Sequence, residues 1–411
     1  MNPASSDCLA NDHEYSPLSS QKASLSAARD PVRVALVGIG EIGKFHARNL
    51  LEGHVARGNL AAVVHPDVAR HAAFAPALGF TSLDALIEAR AADALIVATP
   101  QSSHLQLGQQ ALAAGLHVMM EKPLTIDHAS GKLLIETPLF PGQKFALMVN
   151  QRVAPTHLAL RQAIRNGCIG RVQRVLWVAT NWFRSQRYYD DRPERGTWQG
   201  EGGGVLITQA LHPLDLYRWI FGRPATVMGH CGFGRHHAIE AEDDVTAYFE
   251  YADGMHTTFI SSTGESPGTN RIEVIGDGGR LVLENEQLTL WQNVTYSSEF
   301  IRSSSTWFDA PESKEIILPQ EPALERTRHY GGQHAHLLEN FIDAILDNVP
   351  LIAPAEEGIW SLELINAIQL SAWQGRSVSL PFDNEAYAEA LAVAVASVRD
   401  KNSAKRPEAA Y

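Results

Sequence analysis

The sequence predicts an α/β protein with an N-terminal, open, doubly wound parallel sheet, followed by a second α/β domain with a mainly antiparallel sheet. Up to about residue 152, short β-branched strands alternate with helical periods, the pattern of a parallel sheet covered by helices. Longer strands follow, and the turns YADG and GDGG separate several of them as in hairpins. A chain of 411 residues is also long for one core, so two domains are expected.

The strands of the parallel sheet are predicted where short apolar runs end at glycine or at a polar residue. These runs are VRVALVGIG (residues 32–40), LAAVVH (60–65), DALIVAT (93–99), HVMMEKP (117–123) and KFALMVN (144–150). Three segments have apolar residues at helical spacing and are predicted helices: EIGKFHARNLLEG, SLDALIEAR and HLQLGQQALAAG.

The second domain is predicted to be a mainly antiparallel sheet with a few helices on one face. Its strands lie in GRVQRVLWVATNW, DDVTAYFEYADGMHTTFISST, NRIEVIGDGGRLVLEN and QLTLWQN. Two amphipathic helices, HAHLLENFIDAILDN and GIWSLELINAIQLSAWQG, close the fold. The chain is therefore predicted to divide into a disordered or loosely attached arm (residues 1–30), a dinucleotide-binding domain (31–152), the second domain (153–382) and a C-terminal helix with a polar tail (383–411).

The composition excludes some partners and compartments. The net charge of −12 argues against nucleic acid or an anionic membrane surface as the main partner. No run of about 18 apolar residues occurs, so no transmembrane helix is expected. The first 30 residues lack the basic start and apolar stretch of a secretory signal. Three scattered cysteines favour a reducing compartment, and the cytoplasm is the expected location.

The stretch GIGEIG fits the pattern G-x-G-x-x-G between a buried strand and a helix. Gly38 would make the tight turn, Gly40 would let the main chain approach a pyrophosphate, and Gly43 would let helix pack on strand. The N–H groups that start the helix would then face the phosphates. The alternative is a glycine-rich turn without a ligand.

The end of the second strand leaves the choice between NAD and NADP open. An acidic residue usually stands there to bind the ribose 2′-hydroxyl, but this sequence has His65, with Asp67 two residues later. A histidine does not repel a 2′-phosphate, so NADP is admissible, and Asp67 could still reach a ribose hydroxyl.

Lys122 lies in the segment EKP at the end of a predicted strand. Pro123 favours an extended backbone at the lysine and allows a cis peptide bond before the proline. A lysine in a partly desolvated cleft can transfer protons. The alternative is a surface lysine paired with Glu121.

The stretch GGGVLITQALHPLDL (residues 202–216) is either a helix entrance with a core histidine or the floor of an active site. Its candidate for proton transfer is His212. Asp215 lies three residues later on nearly the same helical face, where it would bind a substrate hydroxyl or orient local structure.

Several other polar residues are weaker candidates. Arg152 would hold substrate or cofactor, or would form an interdomain salt bridge. In the polar, aromatic segment 181–204, a polyol pocket would use Arg184, Tyr188 and Trp198, although a surface loop or a subunit contact fits equally well. The segment RHHAIEAEDD is predicted to be an exposed loop that leads into a strand. The histidines between residues 329 and 336 lack the ligand pattern of a metal site, so no metal is expected.

Four stretches, in this order, resemble the glucose–fructose oxidoreductase / inositol dehydrogenase (Gfo/Idh/MocA) family. They are VALVGIGEIGKFHARNL, DALIVATPQSSH, GLHVMMEKPL and GGGVLITQALHPLDL. The resemblance covers residues 31 to about 382, and its most specific element is EKP after an A-T-P strand end, joined to a later GGG…H-x-x-D.

The resemblance implies an NAD(P)-dependent dehydrogenase or reductase acting on CH–OH groups of sugars, cyclitols or related polyols. It implies an N-terminal Rossmann domain and a C-terminal α/β domain with a large, open, mainly antiparallel sheet that binds substrate and forms a homo-oligomer. By the resemblance, the strand end at Thr99 and Pro100 passes the nicotinamide ribose, His104 matches a recurrent histidine, and Lys122 and His212 match the proton-transfer pair.

One position departs from the inositol dehydrogenase pattern. That type has an aspartate four residues before the histidine, whereas this chain has Thr208, which cannot hold a charge that raises the basicity of His212. Two other readings remain open on the same fold: an NAD-dependent glycosidase and a non-catalytic regulator that binds dinucleotide and sugar.

The predicted sites are then as follows. The predicted catalytic residues are Lys122 and His212. The predicted cofactor site, for NAD or NADP, comprises Gly38, Gly40, Glu41, Ile42, Gly43, His65, Thr99, Pro100, His104, Glu121 and Lys122. The predicted substrate site comprises Lys122, Arg152, Arg184, Tyr188, Trp198, Thr208, His212 and Asp215.

Overall fold

The structure is a computed structural model that describes residues 30–319 and 332–404. The predicted N-terminal arm, apart from its last residue, therefore lies outside the described residues, as do His329 and the end of the polar tail. None of the described helices is long and apolar enough to cross a membrane.

The N-terminal part is a six-stranded parallel sheet with the strand order β3-β2-β1-β4-β5-β6. Its elements, in chain order, are β1 (Val32–Val37), α1 (Glu41–Leu51), β2 (Gly58–Val64), β3 (Leu78–Phe80), α2 (Leu83–Glu88), β4 (Ala94–Val97), α3 (His104–Ala113), β5 (His117–Met120), α4 (His128–Ile135) and β6 (Phe145–Leu147). Short 3-10 turns lie at Val68–Phe74, Gln101–Ser103 and Asn150–Val153.

The centre of this sheet is buried on both faces. Every residue of β4 is 0% exposed, as are Val34, Ala35 and Leu36 in β1, which explains why these strands are continuous apolar runs. The strand order reverses between β1 and β4, and doubly wound sheets bind ligands outside the carboxyl ends of strands at such a point. The loops that follow β1, β4 and β5 therefore define where a ligand is expected.

The remaining strands form a nine-stranded sheet with the order β14-β13-β12-β11-β7-β10-β9-β8-β15. The elements after β6 are α5 (Pro155–Arg165), β7 (Val172–Ala179), α6 (Gln186–Asp190), α7 (Trp198–Glu201), α8 (Val205–Thr208), α9 (Leu211–Phe221), β8 (Thr226–Phe233), β9 (Glu242–Glu250), β10 (His256–Ser262), β11 (Asn270–Gly276), β12 (Gly279–Glu284), β13 (Gln287–Asn293), α10 (Ser297–Ser303), β14 (Ser313–Ile317), α11 (Gly332–Asp347), α12 (Gly358–Gln374), β15 (Val378–Ser379) and α13 (Asn384–Ala404). The pairing of β10 with β7 is parallel, whereas β8 with β9, β9 with β10 and β12 with β13 are antiparallel. The predicted fold class, a doubly wound parallel sheet and a mainly antiparallel sheet, is confirmed.

The described chain divides into two compact units. The first comprises residues 30–125, 132–172 and the described part of 274–358, and the second comprises 126–131, 173–273 and 359–404. Residues 274–358 belong to the first unit although they come after most of the second unit in sequence.

Candidate active site

The glycine-rich turn between β1 and α1 packs against the end of β4. Gly38 has a φ of +91°, and a Cβ on it would lie 2.5 Å from the carbonyl oxygen of Ala98. A Cβ on Gly43 would lie 2.0 Å from the carbonyl oxygen of Gly38. Neither position has room for a side chain, so the turn is tight and α1 packs directly on it, as a dinucleotide loop requires.

The N-terminus of α1 has room for an anion. Gly40 is the N-cap residue, no side-chain hydrogen bond caps the helix there, and a Cβ on it would meet no described atom within 4 Å. Uncapped N–H groups and the helix dipole attract phosphate. Glu41 and Ile42 begin the helix, and the exposed Glu41 carboxylate pairs with Lys44 at 2.7 Å. The turn therefore fits a pyrophosphate next to Gly40.

His65 follows β2 directly and faces the turn after it. Its Nδ1 accepts the main-chain N–H of Asp67 at 3.0 Å, so a neutral ring carries its proton on Nε2. The Asp67 carboxylate accepts the N–H of Ala69 at 3.1 Å and lies 3.6 Å from Arg70. The carboxylate is thus engaged by its own turn, and the strand end itself offers a histidine donor.

Thr99 and Pro100, at the end of β4, keep accessible surface. The Ser103 hydroxyl donates to the carbonyl oxygen of Pro100 at 2.7 Å, so the Thr99 hydroxyl is the donor in its 2.7 Å bond to Ser103. The Thr99 oxygen therefore keeps an acceptor position for a ligand.

His104 connects the loop after β4 with the loop after β5. It is 1% exposed, with Nδ1 2.9 Å from the carbonyl oxygen of Pro123 and Nε2 3.0 Å from that of Thr99. Burial lowers the pKa of His104, although the two carbonyl acceptors oppose the shift. Because both ring nitrogens face main-chain oxygens, His104 positions the two loops rather than touching a cofactor.

Glu121 is a buried carboxylate that anchors the main chain of Lys122. It accepts from Nε2 of His46 at 2.7 Å and from the main-chain N–H of Lys122 at 3.0 Å. Burial raises the pKa of Glu121, but the hydrogen bond from His46 and nearby positive charge lower it to about 2. Burial also lowers the pKa of His334 to about 4, and its ring meets the His46 ring edge-on, with 5.7 Å between centroids. Glu121 is therefore ionised and acts on the site by holding Lys122.

Lys122 is the accessible residue of the EKP segment. Glu121 and Pro123 are buried on either side of it, whereas the lysine is partly exposed. The Lys122–Pro123 peptide bond is cis. The segment thus offers one amine beyond the carboxyl end of β5, at the edge of the sheet where ligands are expected.

The glycine run at residues 202–204 is a close-packed entrance to α8. A Cβ on Gly202 would lie 2.2 Å from the carbonyl oxygen of Ile126, and one on Gly204 would lie 1.9 Å from that of Glu242. The Glu242 carboxylate accepts the N–H groups of Gly204 at 3.0 Å and Leu206 at 3.2 Å. The run consists of glycines because two main-chain segments pass within contact distance of it.

Only two residues between positions 202 and 216 are partly exposed, Thr208 and His212. Thr208 ends α8, and His212 lies in the first turn of α9. The Thr208 hydroxyl donates to the carbonyl oxygen of Gly204 at 2.7 Å, so its oxygen can only accept from a further group. Asp215 is 1% exposed and belongs to the core side of α9. The stretch therefore presents an imidazole and a hydroxyl oxygen, while its aspartate is structural.

Arg184 and Tyr188 lie beside this stretch. Nη2 of Arg184 donates to Oε1 of Gln209 at 2.9 Å, and Nη1 donates to the carbonyl oxygen of Phe183 at 2.9 Å. The Tyr188 ring lies 5.2 Å from the guanidinium of Arg184 and 4.1 Å from that of Arg195. The second unit thus brings Arg184 and Tyr188 together with the residues around Thr208.

Two predicted substrate residues are buried, and their assignment is corrected. Arg152 is 0% exposed, and its guanidinium pairs with Glu357 and donates to the carbonyl oxygen of Ile352 at 3.2 Å. Trp198 is 3% exposed and packs edge-on against Trp373, with 5.2 Å between ring centroids. Neither side chain presents a surface to a substrate, so both positions are structural.

The segment RHHAIEAEDD is a loop that leads into β9, as predicted, with Arg235, His236 and Ala238 exposed. Within it, His237 and Asp243 are 8% and 0% exposed, and Nδ1 of His237 lies 3.0 Å from Oδ2 of Asp243. Nε2 of His237 lies 2.9 Å from the carbonyl oxygen of Arg184, which fixes the main chain beside the guanidinium described above. The composition of the segment does not signal the burial of this histidine.

Two family models match the chain. Residues 32–139 match the model of an oxidoreductase family with an NAD-binding Rossmann fold, and residues 157–282 match a GFO/IDH/MocA C-terminal domain. The chain belongs to the Gfo/Idh/MocA oxidoreductase family. The predicted Gfo/Idh/MocA membership is confirmed, and the N-terminal sheet is an NAD-binding Rossmann domain.

Other Gfo/Idh/MocA proteins align along most of the chain. It is 25% identical over 354 residues to an inositol 2-dehydrogenase of Rhizobium meliloti (strain 1021), covering 85% of this chain and 99% of the relative. It is 27% identical to a D-glucoside 3-dehydrogenase of Escherichia coli (strain K12), covering 85% and 98%. The WlbA dehydrogenase of Bordetella pertussis, solved in complex with NADH and UDP-GlcNAcA, shares the fold with a TM-score of 0.69 at 26% identity, covering 86% of this chain and 100% of that chain. This Gfo/Idh/MocA protein is accordingly an oxidoreductase.

Proposed function

We propose that this protein transfers hydride between NAD or NADP and a CH–OH carbon of a sugar, a cyclitol or a related polyhydroxylated small molecule. Lys122 and His212 move the hydroxyl proton. The relatives named inositol 2-dehydrogenase and D-glucoside 3-dehydrogenase support the substrate class. The open space at Gly40 supports the dinucleotide.

The observation that carries the proton-transfer roles is selective exposure. Lys122 is accessible between two buried neighbours, and His212 is one of two accessible residues in a stretch that is otherwise buried. A histidine that only packs in the core would not need to be accessible to solvent.

The roles follow from what each side chain can do with a proton. In oxidation, the unprotonated Nζ of Lys122 accepts the proton of the substrate hydroxyl, and His212 relays it to solvent. A bound NAD(P)+ would supply the hydride acceptor for oxidation of the carbinol carbon to a carbonyl. Thr208 supplies no charge to His212, so Lys122 carries most of the transfer. In reduction, Lys122 donates the proton instead.

A substrate panel tests the proposal. Polyols, aldoses and keto-sugars are incubated with the purified protein and each of NAD+, NADP+, NADH and NADPH, and nicotinamide absorbance is followed. Turnover of at least one polyhydroxylated compound is expected. Hydrolysis of a glycoside without net formation of NADH would contradict the proposal and would indicate the glycosidase reaction on the same fold.

His65 is proposed to let the protein accept NADP besides NAD. His65→Asp is expected to raise the Kd for NADPH at least about tenfold, because a carboxylate repels the 2′-phosphate, and to leave the Kd for NADH within about twofold. An aspartate there can still accept the N–H of Asp67, so the turn is retained. Fluorescence titration measures both constants, and Asp67→Asn serves as the matched control. An equal change in the Kd values for NADPH and NADH would contradict a contact between His65 and the 2′-phosphate.

The protein is proposed to form a homo-oligomer through the open face of its antiparallel sheet. Met228 pairs in register with Tyr248, Tyr248 with Thr258, and Thr258 with Leu176, so these four side chains form one row across four strands. Leu176 is 38% exposed, and Met228 and Tyr248 are each 39% exposed. An apolar row of this kind supports a protein contact.

A charge placed in the row tests the oligomer. Tyr248→Glu is expected to halve the native mass or reduce it further, because a buried, unpaired carboxylate is costly at an interface. Light scattering after size-exclusion chromatography measures the mass. Val393→Glu, at a 70% exposed apolar residue on α13, is the matched control and is expected to leave the mass unchanged. A monomeric wild type would contradict the proposal.

The cytoplasm is the proposed compartment. Support comes from the three scattered cysteines in the sequence. Of these, Cys168 and Cys231 are free thiols, and Cys8 lies outside the described residues. Free thiols persist in reducing compartments.

A further inference from the structure

Glu242, at the start of β9, supports the entrance of α8 with both its main chain and its side chain. The residue is 0% exposed. Its carbonyl oxygen leaves no room for a side chain on Gly204, and its carboxylate binds the N–H groups of Gly204 and Leu206. The carbonyl oxygen of Gly204 in turn accepts the Thr208 hydroxyl, four positions before His212. Glu242 thus fixes where α8 begins.

A buried hydrogen-bonded chain connects Glu242 with the C-terminal helix. Nε2 of Gln369 lies 3.5 Å from each carboxylate oxygen of Glu242. Oε1 of Gln369 accepts the Tyr387 hydroxyl at 2.8 Å and the Asn366 amide at 3.1 Å. Because two donors occupy Oε1, the NH₂ group of Gln369 must face Glu242. The carboxylate is therefore surrounded by donors, an arrangement that suits its ionised form.

Titratable groups surround Glu242 on α13, on β8 and along its own strand. Burial raises the pKa values of the Tyr387 hydroxyl on α13 and of the Cys231 thiol on β8 well above their usual range. Asp243 and Asp244, next on β9, are paired with histidine and arginine side chains. Burial raises the pKa of Glu242 to about 7, although its N–H donors oppose the shift.

We propose that Glu242 is a positioning residue that sets the direction of His212 by holding the N–H groups of Gly204 and Leu206. The inference rests on the proton-transfer role proposed for His212. The ionised carboxylate satisfies every donor around it. In Glu242→Gln one carboxylate oxygen is replaced by an NH₂ donor that faces the fixed NH₂ group of Gln369, so that contact is lost and the entrance of α8 loosens. Proton transfer through His212 then slows.

Three variants test this role in the full-length enzyme. Glu242→Gln keeps the shape and removes the charge, and Tyr387→Phe removes one hydroxyl from the supporting chain. Glu363→Gln is the matched control, because Glu363 is a 6% exposed carboxylate of the same unit that pairs with Arg223. With a substrate found by the panel, Glu242→Gln is expected to lower kcat at least about tenfold, with KM and the Kd for NADH within about twofold. Tyr387→Phe is expected to lower kcat about threefold, and Glu363→Gln is expected to retain wild-type kcat.

Hydrogen exchange provides a readout that needs no turnover. Protection of the peptide covering residues 202–212 is expected to be at least about threefold lower in Glu242→Gln than in the wild type at the same pH. In Glu363→Gln it is expected to equal that of the wild type. If Glu242→Gln keeps wild-type protection, the role of Glu242 is overturned.

The two experiments separate this inference from the proposed function. If no substrate of the panel is turned over, the proposed function fails, whereas hydrogen exchange still decides whether Glu242 holds the segment. If turnover is found and Glu242→Gln retains wild-type kcat at every pH, the positioning role is overturned and the proposed function stands.

Discussion

Lys122→Met is expected to lower kcat by at least about 10³-fold while the Kd for NADH stays within about twofold. Methionine matches the length of lysine but cannot accept or donate the hydroxyl proton. The main-chain N–H of residue 122 keeps its bond to Glu121, so the loop after β5 retains its course. Steady-state kinetics with the best substrate of the panel, together with NADH fluorescence titration, measures the two quantities.

The comparison variant is His212→Asn, which is expected to cost about 10²-fold in kcat, less than the loss of the lysine, since Thr208 cannot charge the histidine. Wild-type turnover in Lys122→Met would mean that the lysine is a surface residue paired with Glu121. In the structure the Glu121 carboxylate accepts from His46 and from the main-chain N–H of Lys122.

Alanine at two glycines of the α1 turn is expected to separate cofactor binding from folding. In Gly43→Ala the methyl group would lie 2.0 Å from the carbonyl oxygen of Gly38, so the free energy of unfolding is expected to fall by about 1–3 kcal/mol and NADH binding to be lost. In Gly40→Ala the φ of −71° suits alanine and the methyl group meets no described atom within 4 Å. Its stability is expected to change by less than about 0.5 kcal/mol, whereas the Kd for NADH rises at least about tenfold, since the methyl group occupies the approach to the pyrophosphate.

Urea unfolding and NADH titration on both variants measure these effects. Each variant is the control of the other, because the two positions lie in one turn and differ in the space around them. Unchanged NADH affinity in Gly40→Ala would place the pyrophosphate elsewhere. Unchanged stability in Gly43→Ala would show that α1 can move away from the turn at little cost.

The sequence predicts those helices and strands whose apolar pattern is visible in a short stretch of the chain. Strands β1 and β4 are buried on both faces, so they are continuous apolar runs that can be recognised without the fold. Strand β3 has only three residues, Leu78–Phe80, none of them buried, and no local signal predicts it. Helix α4 is also not predicted, since its sequence HASGKLLI is short and carries a glycine, which lowers helix propensity.

In the candidate site, too, local motifs are predictable from the sequence and contacts between distant residues are not. The glycine turn and the EKP segment are local patterns, and their residues could be named from spacing. The partners that hold them could not. His46 reaches Glu121 across 75 positions of sequence, and Gln369 reaches Glu242 across 127. Polar and aromatic residues in loops often bind ligands, and for that reason the sequence suggests a substrate role for Arg152 and Trp198. Their burial depends on residues distant in sequence that pack over them, which the sequence does not reveal.

The buried Glu121 has a consequence for how the enzyme responds to acid. Its pKa of about 2, against an ordinary value of 4.5, means that its contribution to stability is present above about pH 4.5 and is lost only as the pH falls toward 2. Glu121, which anchors the main chain of Lys122, therefore stays ionised across the pH range in which most enzymes work. The pKa of Glu242, the carboxyl group that supports the histidine stretch, is raised by burial to about 7, so this group changes its charge near neutral pH and the fold favours its protonated form. Of these two buried carboxyl groups, the one that anchors the lysine is the one whose charge is constant.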